Sequence, residues 1–368
     1  MALHVFAVED TAIQVTWPSL RDGARIEAGP TSVVVEDGGR PGAAVLDGLS
    51  PGTSYYVVVD GRRAARTRTL PSPPGALLYR FATVNDLHVG ERRFGLLRTV
   101  NEGAPRGSVD TYALRCATAA CDEAVGWGGE LVVAKGDLTY QGRLRQWDAV
   151  GRLLSGLPVP VLAVLGNHDV GTKGVDGRLA LLRHDIDVPA EPVAHDVPGL
   201  RIVLAHTAVP GHGYGRVDAA QRARVAELVG AAPGPAFLAM HHYPQRFRHA
   251  LMYPPGIPSD EAVPLLDALA AANPATFVAV GHSHRNRRHR HGPLVVAEIG
   301  ATMHYPGTWA GYAVHEGGIR QVVRRVSAQG AIAWTERTRR VVAGAWGLWA
   351  PGLLGHRCFV HAWPGRRG

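Results

Sequence analysis

Two patterns of apolar residues divide the chain near residue 72. Before it, the apolar runs are short and separated by Gly and Pro clusters, and none has helical period. Ala12-Ile13-Gln14-Val15-Thr16-Trp17 alternates apolar with polar, as a strand with one face in a core does. Tyr55-Tyr56-Val57-Val58-Val59 does not alternate, and its aromatic and β-branched residues predict a strand buried on both faces. Leu70-Pro71-Ser72-Pro73-Pro74-Gly75 reads as a stiff linker. From Ala76, strand-length runs such as Leu131-Val132-Val133-Ala134 alternate with helical stretches such as Ala219 to Val229, which predicts a layered α/β fold. After about Ser327 the period fades, and Trp334, Trp346, Trp349 and Trp363 predict a tail that packs on the main body.

Five of the strand-length runs end in residues that bind metals. Phe81 to Asn85 leads into Asp86-Leu87-His88, and Leu131 to Lys135 leads into Gly136-Asp137. Val161 to Leu165 leads into Gly166-Asn167-His168-Asp169. Ala236 to Met240 leads into His241-His242, and Thr276 to Val280 leads into Gly281-His282-Ser283-His284. Ligand sites in open α/β sheets lie beyond the carboxyl ends of strands, so these motifs should meet at one edge. Gly136, Gly166 and Gly281 would let the chain turn sharply there. A carboxylate can bridge two cations, imidazole suits Zn, Fe and similar ions, and two ions about 3.5–4 Å apart can neutralise a phosphoryl group and supply hydroxide at neutral pH.

The 368 residues exceed one typical domain, and 46% of them are hydrophobic, enough for a full core. Three cysteines are too few for a disulfide framework, which points to a reduced, cytoplasmic setting. Cys116 and Cys121 read as packing residues on a helix. No apolar stretch is long enough to span a bilayer, and MALHVFAVED carries no secretory signal. The formal net charge of +8 favours anionic partners. Its cations are arginines apart from Lys135 and Lys173, a bias that fits a GC-rich genome better than nucleic-acid binding. The basic residues are scattered, with no aromatic-and-basic stacking motif.

The five motifs, in their order and strand context, resemble the calcineurin-like metallophosphoesterases from about Leu77 to Gly318. Gly215-Arg216-Val217-Asp218 and Tyr305-Pro306-Gly307-Thr308-Trp309 also look like features of that family. The resemblance implies a four-layer α/β/β/α sandwich over residues 76–326, preceded by a small all-β sandwich at 1–72 and followed by an extension at 327–368. It implies two divalent or trivalent ions, Fe, Mn or Zn. Asp86, His88 and His284 would bind the first, Asp137 would bridge both, and Asn167, His241 and His282 would complete the second. The pair His241-His242 leaves that ligand open: strand alignment favours His241, and spacing to Pro244 favours His242. His168 resembles the family's catalytic histidine, which contacts substrate and protonates the leaving oxygen. Asp169 either orients it or is structural.

Gly136-Asp137-Leu138-Thr139-Tyr140 resembles the purple acid phosphatases, whose tyrosine binds iron(III). Those enzymes usually lack a histidine at the position of His88, and with His88 present Tyr140 reads as a supporting or packing residue. The front segment resembles a fibronectin type III domain. Leu49 to Tyr55 matches its turn and tyrosine corner, Trp17 its core tryptophan, and Arg66-Thr67-Arg68-Thr69 its last strand. At about 70 residues it is short for a sandwich of about 100.

Asp-x-His with Gly-Asn-His-Asp most resembles the cyclic-nucleotide and glycerophosphodiester branch. The expected function is therefore hydrolysis of a small phosphate ester, a diester by preference, by a hydroxide held on two metals. The alternatives are a purple acid phosphatase-like monoesterase and, in another class, a nucleic-acid-binding or non-catalytic scaffold protein. Seven converging ligands argue against a scaffold. Arg285, Arg287, Arg288 and Arg290, with His289 and His291, read as a solvated loop or edge strand. His206, His212 and Tyr214 are candidates for the substrate side, and His304 lies near the Pro-Gly feature. Oligomeric state is not read from the sequence.

Overall fold

The computed structural model describes residues 3–95, 98–171, 174–250 and 253–364. The front segment folds as seven strands: β1 (His4–Val8), β2 (Ile13–Trp17), β3 (Arg25–Ala28), β4 (Thr31–Val34), β5 (Gly42–Leu46), β6 (Ser54–Val59) and β7 (Arg62–Arg68). They form a three-stranded sheet, β1-β2-β5, and a four-stranded sheet, β4-β3-β6-β7. Phe6, Val8, Ile13, Val15, Ile26, Leu46, Val57 and Val59 join the two sheets in one core.

Two strand patterns differ from expectation, in opposite senses. β2 alternates in sequence yet is buried throughout. Its polar face is covered because the Gln14 amide donates to Arg325 O (2.8 Å) and accepts from Arg325 N (2.9 Å). Tyr55 to Val59, expected to be buried on both faces, bury only one: Val57 and Val59 face the core while Tyr56 is exposed. The outer face stays wet because the Arg63 and Arg66 guanidiniums stack on the Tyr56 ring.

Beyond the linker run β8 (Leu77–Val84), β9 (Arg93–Phe94), β10 (Val100–Asn101), α1 (Tyr112–Gly126), β11 (Val132–Lys135), α2 (Leu144–Ser155), β12 (Val161–Val164) and α3 (Gly177–Leu182). There follow β13 (Val193–Val197), β14 (Leu200–Leu204), α4 (Ala219–Gly230), β15 (Ala236–Ala239), α5 (Ser259–Ala272), β16 (Thr276–Val280), β17 (Arg287–His291) and β18 (Leu294–Glu298). The chain closes with β19 (Thr308–His315), β20 (Gly318–Arg325), α6 (Gln329–Thr338), α7 (Ala345–Trp349), α8 (Leu354–Arg357) and β21 (Phe359–Ala362). β9 and β10 pair with each other, and the other strands make two six-stranded sheets, β12-β11-β8-β19-β20-β21 and β13-β14-β15-β16-β18-β17. The five motif-bearing strands are thus divided, three to one sheet and two to the other.

Phe81, Val133, Ile202, Phe237, Phe277, Val295, Tyr312 and Val323 share one core drawn from both sheets. Phe81 stacks on Tyr312 and meets Phe237 edge-on, both with centroids 4.9 Å apart. Alternate residues of the same strands pack with helices. Val84, Val132 and Ala134 pack with Cys116, Ala120, Trp147 and Val150 of α1 and α2, while Leu238, Val278 and Val296 pack with Val225, Val229, Leu265 and Leu269 of α4 and α5. Both faces are covered, so these strands are apolar runs without alternation.

The tail does more than pack on the surface: β21 pairs with β20 as the sixth strand of the first sheet, and Trp334 of α6 stacks on Tyr112 of α1 at 3.8 Å. The basic run Arg287–His291 is the edge strand of the second sheet, where charge discourages further pairing. Cys116, Cys121 and Cys358 are free and buried. Among the described residues no helix is long and apolar enough to cross a membrane.

Candidate metal centre

Each candidate ligand stands two to four residues past a strand end. There the backbone turns through the left-handed region at Asp86 (φ 53°), His88 (45°), Asp137 (51°), His282 (66°) and His284 (54°). Non-glycine residues avoid this region, and departures of this kind cluster at functional sites. The glycines act differently from expectation. Gly136 has φ +81° and turns the chain. Gly166 and Gly281 are needed for close approach: a Cβ on Gly166 would stand 2.2 Å from Asp137 Oδ1, and one on Gly281 would stand 2.9 Å from Asp86 Oδ2.

The turns bring two groups of donor atoms together. Asp86, His88, Asp137 and His284 form one, and His241, His242 and His282 form the other; within each group the donor atoms lie within 4.8 Å of one another. Asp86 Oδ1 is 3.2 Å from His284 Nε2, and Asp137 Oδ2 is 3.4 Å from His88 Nε2. Asp137 Oδ2 is also 3.3 Å from His241 Nε2, so this oxygen faces both groups. His282 Nδ1 lies 3.2 Å from His241 Nε2. Asn167 Oδ1 and His242 Nε2 are buried with no hydrogen-bond partner among the described residues. Buried polar atoms are almost always bonded, so unspent acceptors converging on common points are what cations would satisfy. Mixed imidazole and carboxylate donors suit Fe, Mn or Zn.

The electrostatics follow from this crowding. Burial by itself raises the Asp86 carboxyl, but His284 and then His241 reverse this and hold it below the carboxylate range. Burial opposes charge on His88 and His241; Asp137 and Glu91 lift His88 well above its ordinary value, and Asp137 lifts His241 to about 9. Burial and the neighbouring His241 push His282 down to about 3.

The expected supporting residues resolve as follows. Asp169 does not touch the His168 ring. Its carboxylate accepts from Gly166 N (2.9 Å), Leu138 N (3.0 Å), Thr139 N (2.8 Å) and the Thr139 hydroxyl (2.8 Å), tying the Asp137 and Asn167 loops together. His168 is oriented instead by Nδ1, which donates to Tyr140 O at 2.9 Å. The Tyr140 hydroxyl accepts from Arg98 Nη2 at 3.0 Å, and its ring centroid stands 6.4 Å from that of His88. Burial and then Glu91 raise its pKa, which keeps the phenol protonated.

Several contributors were not singled out from sequence. Glu91 Oε2 stands 3.3 Å from His88 Nδ1, and His304, noted only for its neighbourhood, meets His284 Nδ1 at 2.7 Å. Thr207 Oγ1 pairs with His242 Nδ1 at 2.9 Å, and His241 Nδ1 donates to Lys135 O at 2.8 Å. Lys135 is fully buried, and its ammonium donates to Asn85 Oδ1 and Val280 O, both at 3.0 Å; Asn85 in turn donates to Asp86. A buried lysine in an arginine-rich chain was a readable signal, because Arg is too large and too rigidly forked for this slot.

Asp137, Asn167, His168, His282 and His284 line a cleft of about 400 Å³ whose walls include Arg93, Arg98, Tyr253, Trp346 and Trp349. The tail therefore forms one wall. Of the residues proposed for the substrate side, neither His206, His212 nor Tyr214 lines the cleft; Gly213 between the last two does.

A profile of the calcineurin-like phosphoesterase family matches residues 79–286, over half of the chain. A cAMP/cGMP dual specificity phosphodiesterase from Mycobacterium tuberculosis (strain CDC 1551 / Oshkosh) is 36% identical over 121 residues, 31% of this chain and 37% of that protein. A 3',5'-cyclic adenosine monophosphate phosphodiesterase from Pseudomonas aeruginosa is 28% identical over 173 residues, 45% of this chain and 58% of that protein. The chain thus matches less than two thirds of the length of these relatives. The crystal structure of a dimetal phosphatase from Danio rerio aligns over 70% of this chain and all of its own, with TM-score 0.50 and 14% identity, a likeness of fold.

Proposed function

Because the chain belongs to the calcineurin-like phosphoesterase family, we propose that it hydrolyses phosphate esters, phosphodiesters by preference, at a centre for two metal ions. The observation that carries this reading is the pair of buried donor groups facing one oxygen, Asp137 Oδ2. Asp86, His88 and His284 would hold the first ion, Asp137 would serve both, and Asn167, His241 and His282 would hold the second. We choose His241 over His242 because its Nε2 faces Asp137 while Nδ1–H is spent on Lys135 O, which leaves a lone pair directed at the site. When bound, such ions neutralise phosphoryl oxygens and lower the pKa of water.

The chain's own groups do the rest. Arg93 and Arg98 on the cleft wall attract the anionic ester and position it. The Tyr140 carbonyl accepts from His168 Nδ1–H and so leaves Nε2 facing the ester; in the imidazolium form of the ring, Nε2–H is the bond that breaks as its proton passes to the leaving oxygen, and the neutral ring with Nδ1–H remains. Asp169 keeps the loops bearing Asp137 and Asn167 in register. Cyclic nucleotides are the first substrates to try, since that is what the names of the two curated relatives describe. The Tyr140 phenol, paired with Arg98, supports this reading over a purple acid phosphatase-like one.

We further read residues 76–326 as the four-layer α/β/β/α sandwich, with the tail completing one sheet. We read residues 1–72 as a fibronectin-like unit, on its three-plus-four strands and on the Tyr55 hydroxyl that accepts from Ser50 N at 2.9 Å. Three unpaired cysteines support a cytoplasmic setting. The test is elemental analysis with rates on bis(4-nitrophenyl) phosphate and 4-nitrophenyl phosphate in the presence of Mn, Fe or Zn. Two ions per chain, faster diester cleavage and no visible charge-transfer band are expected. A metal-free, inactive protein would refute the reading, and a purple iron form would move it to the monoesterase branch.

A further inference from the structure

Beside the metal cleft lies a second pocket of about 230 Å³. The two share Tyr253, Pro254, Ser283 and Trp349, and Ser283 stands between His282 and His284. A ligand with its phosphate on the metal side would therefore place a substituent of that phosphate in the second pocket.

Glu298, the last residue of β18, lines this pocket and is only 2% exposed. Among the described residues its Oε1 has no hydrogen-bond partner, although the Ser283 hydroxyl lies close enough to favour the charged carboxylate. The nearby cationic atoms, Arg287 Nη1 at 3.7 Å and His289 Nδ1 at 3.9 Å, stand too far away to donate to it. A buried carboxylate oxygen with unspent capacity is rare and calls for a donor. The walls are aromatic: Tyr243, Phe247, Tyr253 and Trp349. Phe247 and Tyr253 are 51% and 89% exposed, although large rings usually bury themselves. Arg246, Arg285 and Arg287 outnumber Glu298 there, which disfavours a cationic ligand.

A flat, electron-rich ring that carries N–H groups beside a carbonyl meets all of these features. We propose that the pocket is a base subsite for a purine nucleotide that prefers guanine, with Glu298 accepting ring N–H groups, Arg287 donating to the adjacent carbonyl oxygen, and Tyr253 and Trp349 stacking on the ring. An ionised carboxylate only accepts. Guanine offers it two adjacent N–H donors, whereas adenine offers one donor beside an acceptor. The location rests on the phosphodiesterase reading, but the pocket's preference can be measured without turnover.

The experiment is calorimetric titration of the metal-loaded protein with GMP and AMP, alongside kcat/KM for the 3',5'-cyclic forms. GMP should bind about tenfold more tightly than AMP, as one extra charge-assisted hydrogen bond implies. Glu298→Gln should abolish or invert that ratio, because its amide can both donate and accept and so suits adenine. Trp349→Ala should weaken both nucleotides alike, about tenfold or more. Equal affinities in the unmodified protein, or a ratio unchanged in Glu298→Gln, would overturn the proposal. Should Glu298→Gln not fold, the ratio in the unmodified protein and the Trp349→Ala titration still decide. GMP preference without any ester cleavage would sink the hydrolase reading and keep the subsite. Cleavage of bis(4-nitrophenyl) phosphate without nucleotide preference would do the reverse.

Discussion

Replacing His168 with Ala separates proton donation from metal binding. The backbone N–H of His168 donates to Asp137 Oδ1 at 2.9 Å, and Ala keeps that bond. What is lost is the ring and its bond to Tyr140 O, worth about 0.5–1.5 kcal/mol of stability in a half-buried position. The fold and the donor groups should therefore persist. The catalytic cost is larger: a positioned acid contributes about 10²–10⁴-fold when the leaving group needs a proton. A 3',5'-cyclic nucleotide expels an alkoxide and should lose that factor, whereas bis(4-nitrophenyl) phosphate expels a stabilised phenolate and should lose far less. The assay is kcat on both substrates with metal content measured on the same sample. Equal losses on the two substrates, or a fall in bound metal, would refute the assignment of His168 as proton donor.

Asp137→Ala should strip both ions and abolish activity, since its Oδ2 faces both donor groups; elemental analysis that finds two ions retained would contradict the bridging role. Asp169→Asn keeps one acceptor oxygen and turns an NH₂ towards Thr139 N–H, leaving a buried donor unpaired. Urea unfolding should show a loss of about 1–3 kcal/mol, and metal affinity should fall with it because the tied loops carry Asp137 and Asn167. His361 is only 4% exposed, and burial, with Arg290 and Arg288 nearby, pushes its pKa from 6.5 down to about 4. The folded pKa lies below the unfolded one, so the unfolded state binds the proton first. Stability is full above about pH 6.5 and is lost as pH falls towards 4, by about 3 kcal/mol. His361→Gln should flatten that part of the stability–pH curve, and an unchanged slope would rule the group out.

The chemistry of the site was legible along the chain because each ligand sits within four residues of a strand end. That adjacency is local: an apolar run, a glycine or small residue, then Asp, Asn or His. The helix at Ala219, the edge placement of the Arg287 run and the packing role of Cys116 and Cys121 follow from equally local periodicity. What the tertiary structure decided depends on which surfaces meet. β2 alternates but is buried on both sides because Gln14 docks on Arg325, and Tyr55 to Val59 of β6 do not alternate yet leave one face to solvent because, among the described residues, only arginine side chains, and no second sheet, lie against Tyr56. Burial belongs to a contact between distant segments, and no window of the chain contains it. The same holds for the division of five motif strands between two sheets. Asp169 serves backbone N–H groups of two loops, and Glu91 and His304 back two ligands. The tail crosses back to place Trp346 and Trp349 on the cleft wall, next to residues as far back in the chain as Asp137. Residue types at strand ends determined which donor atoms the candidate site contains. Only the packing of distant segments decided how those donors are oriented and what walls the cleft beside them.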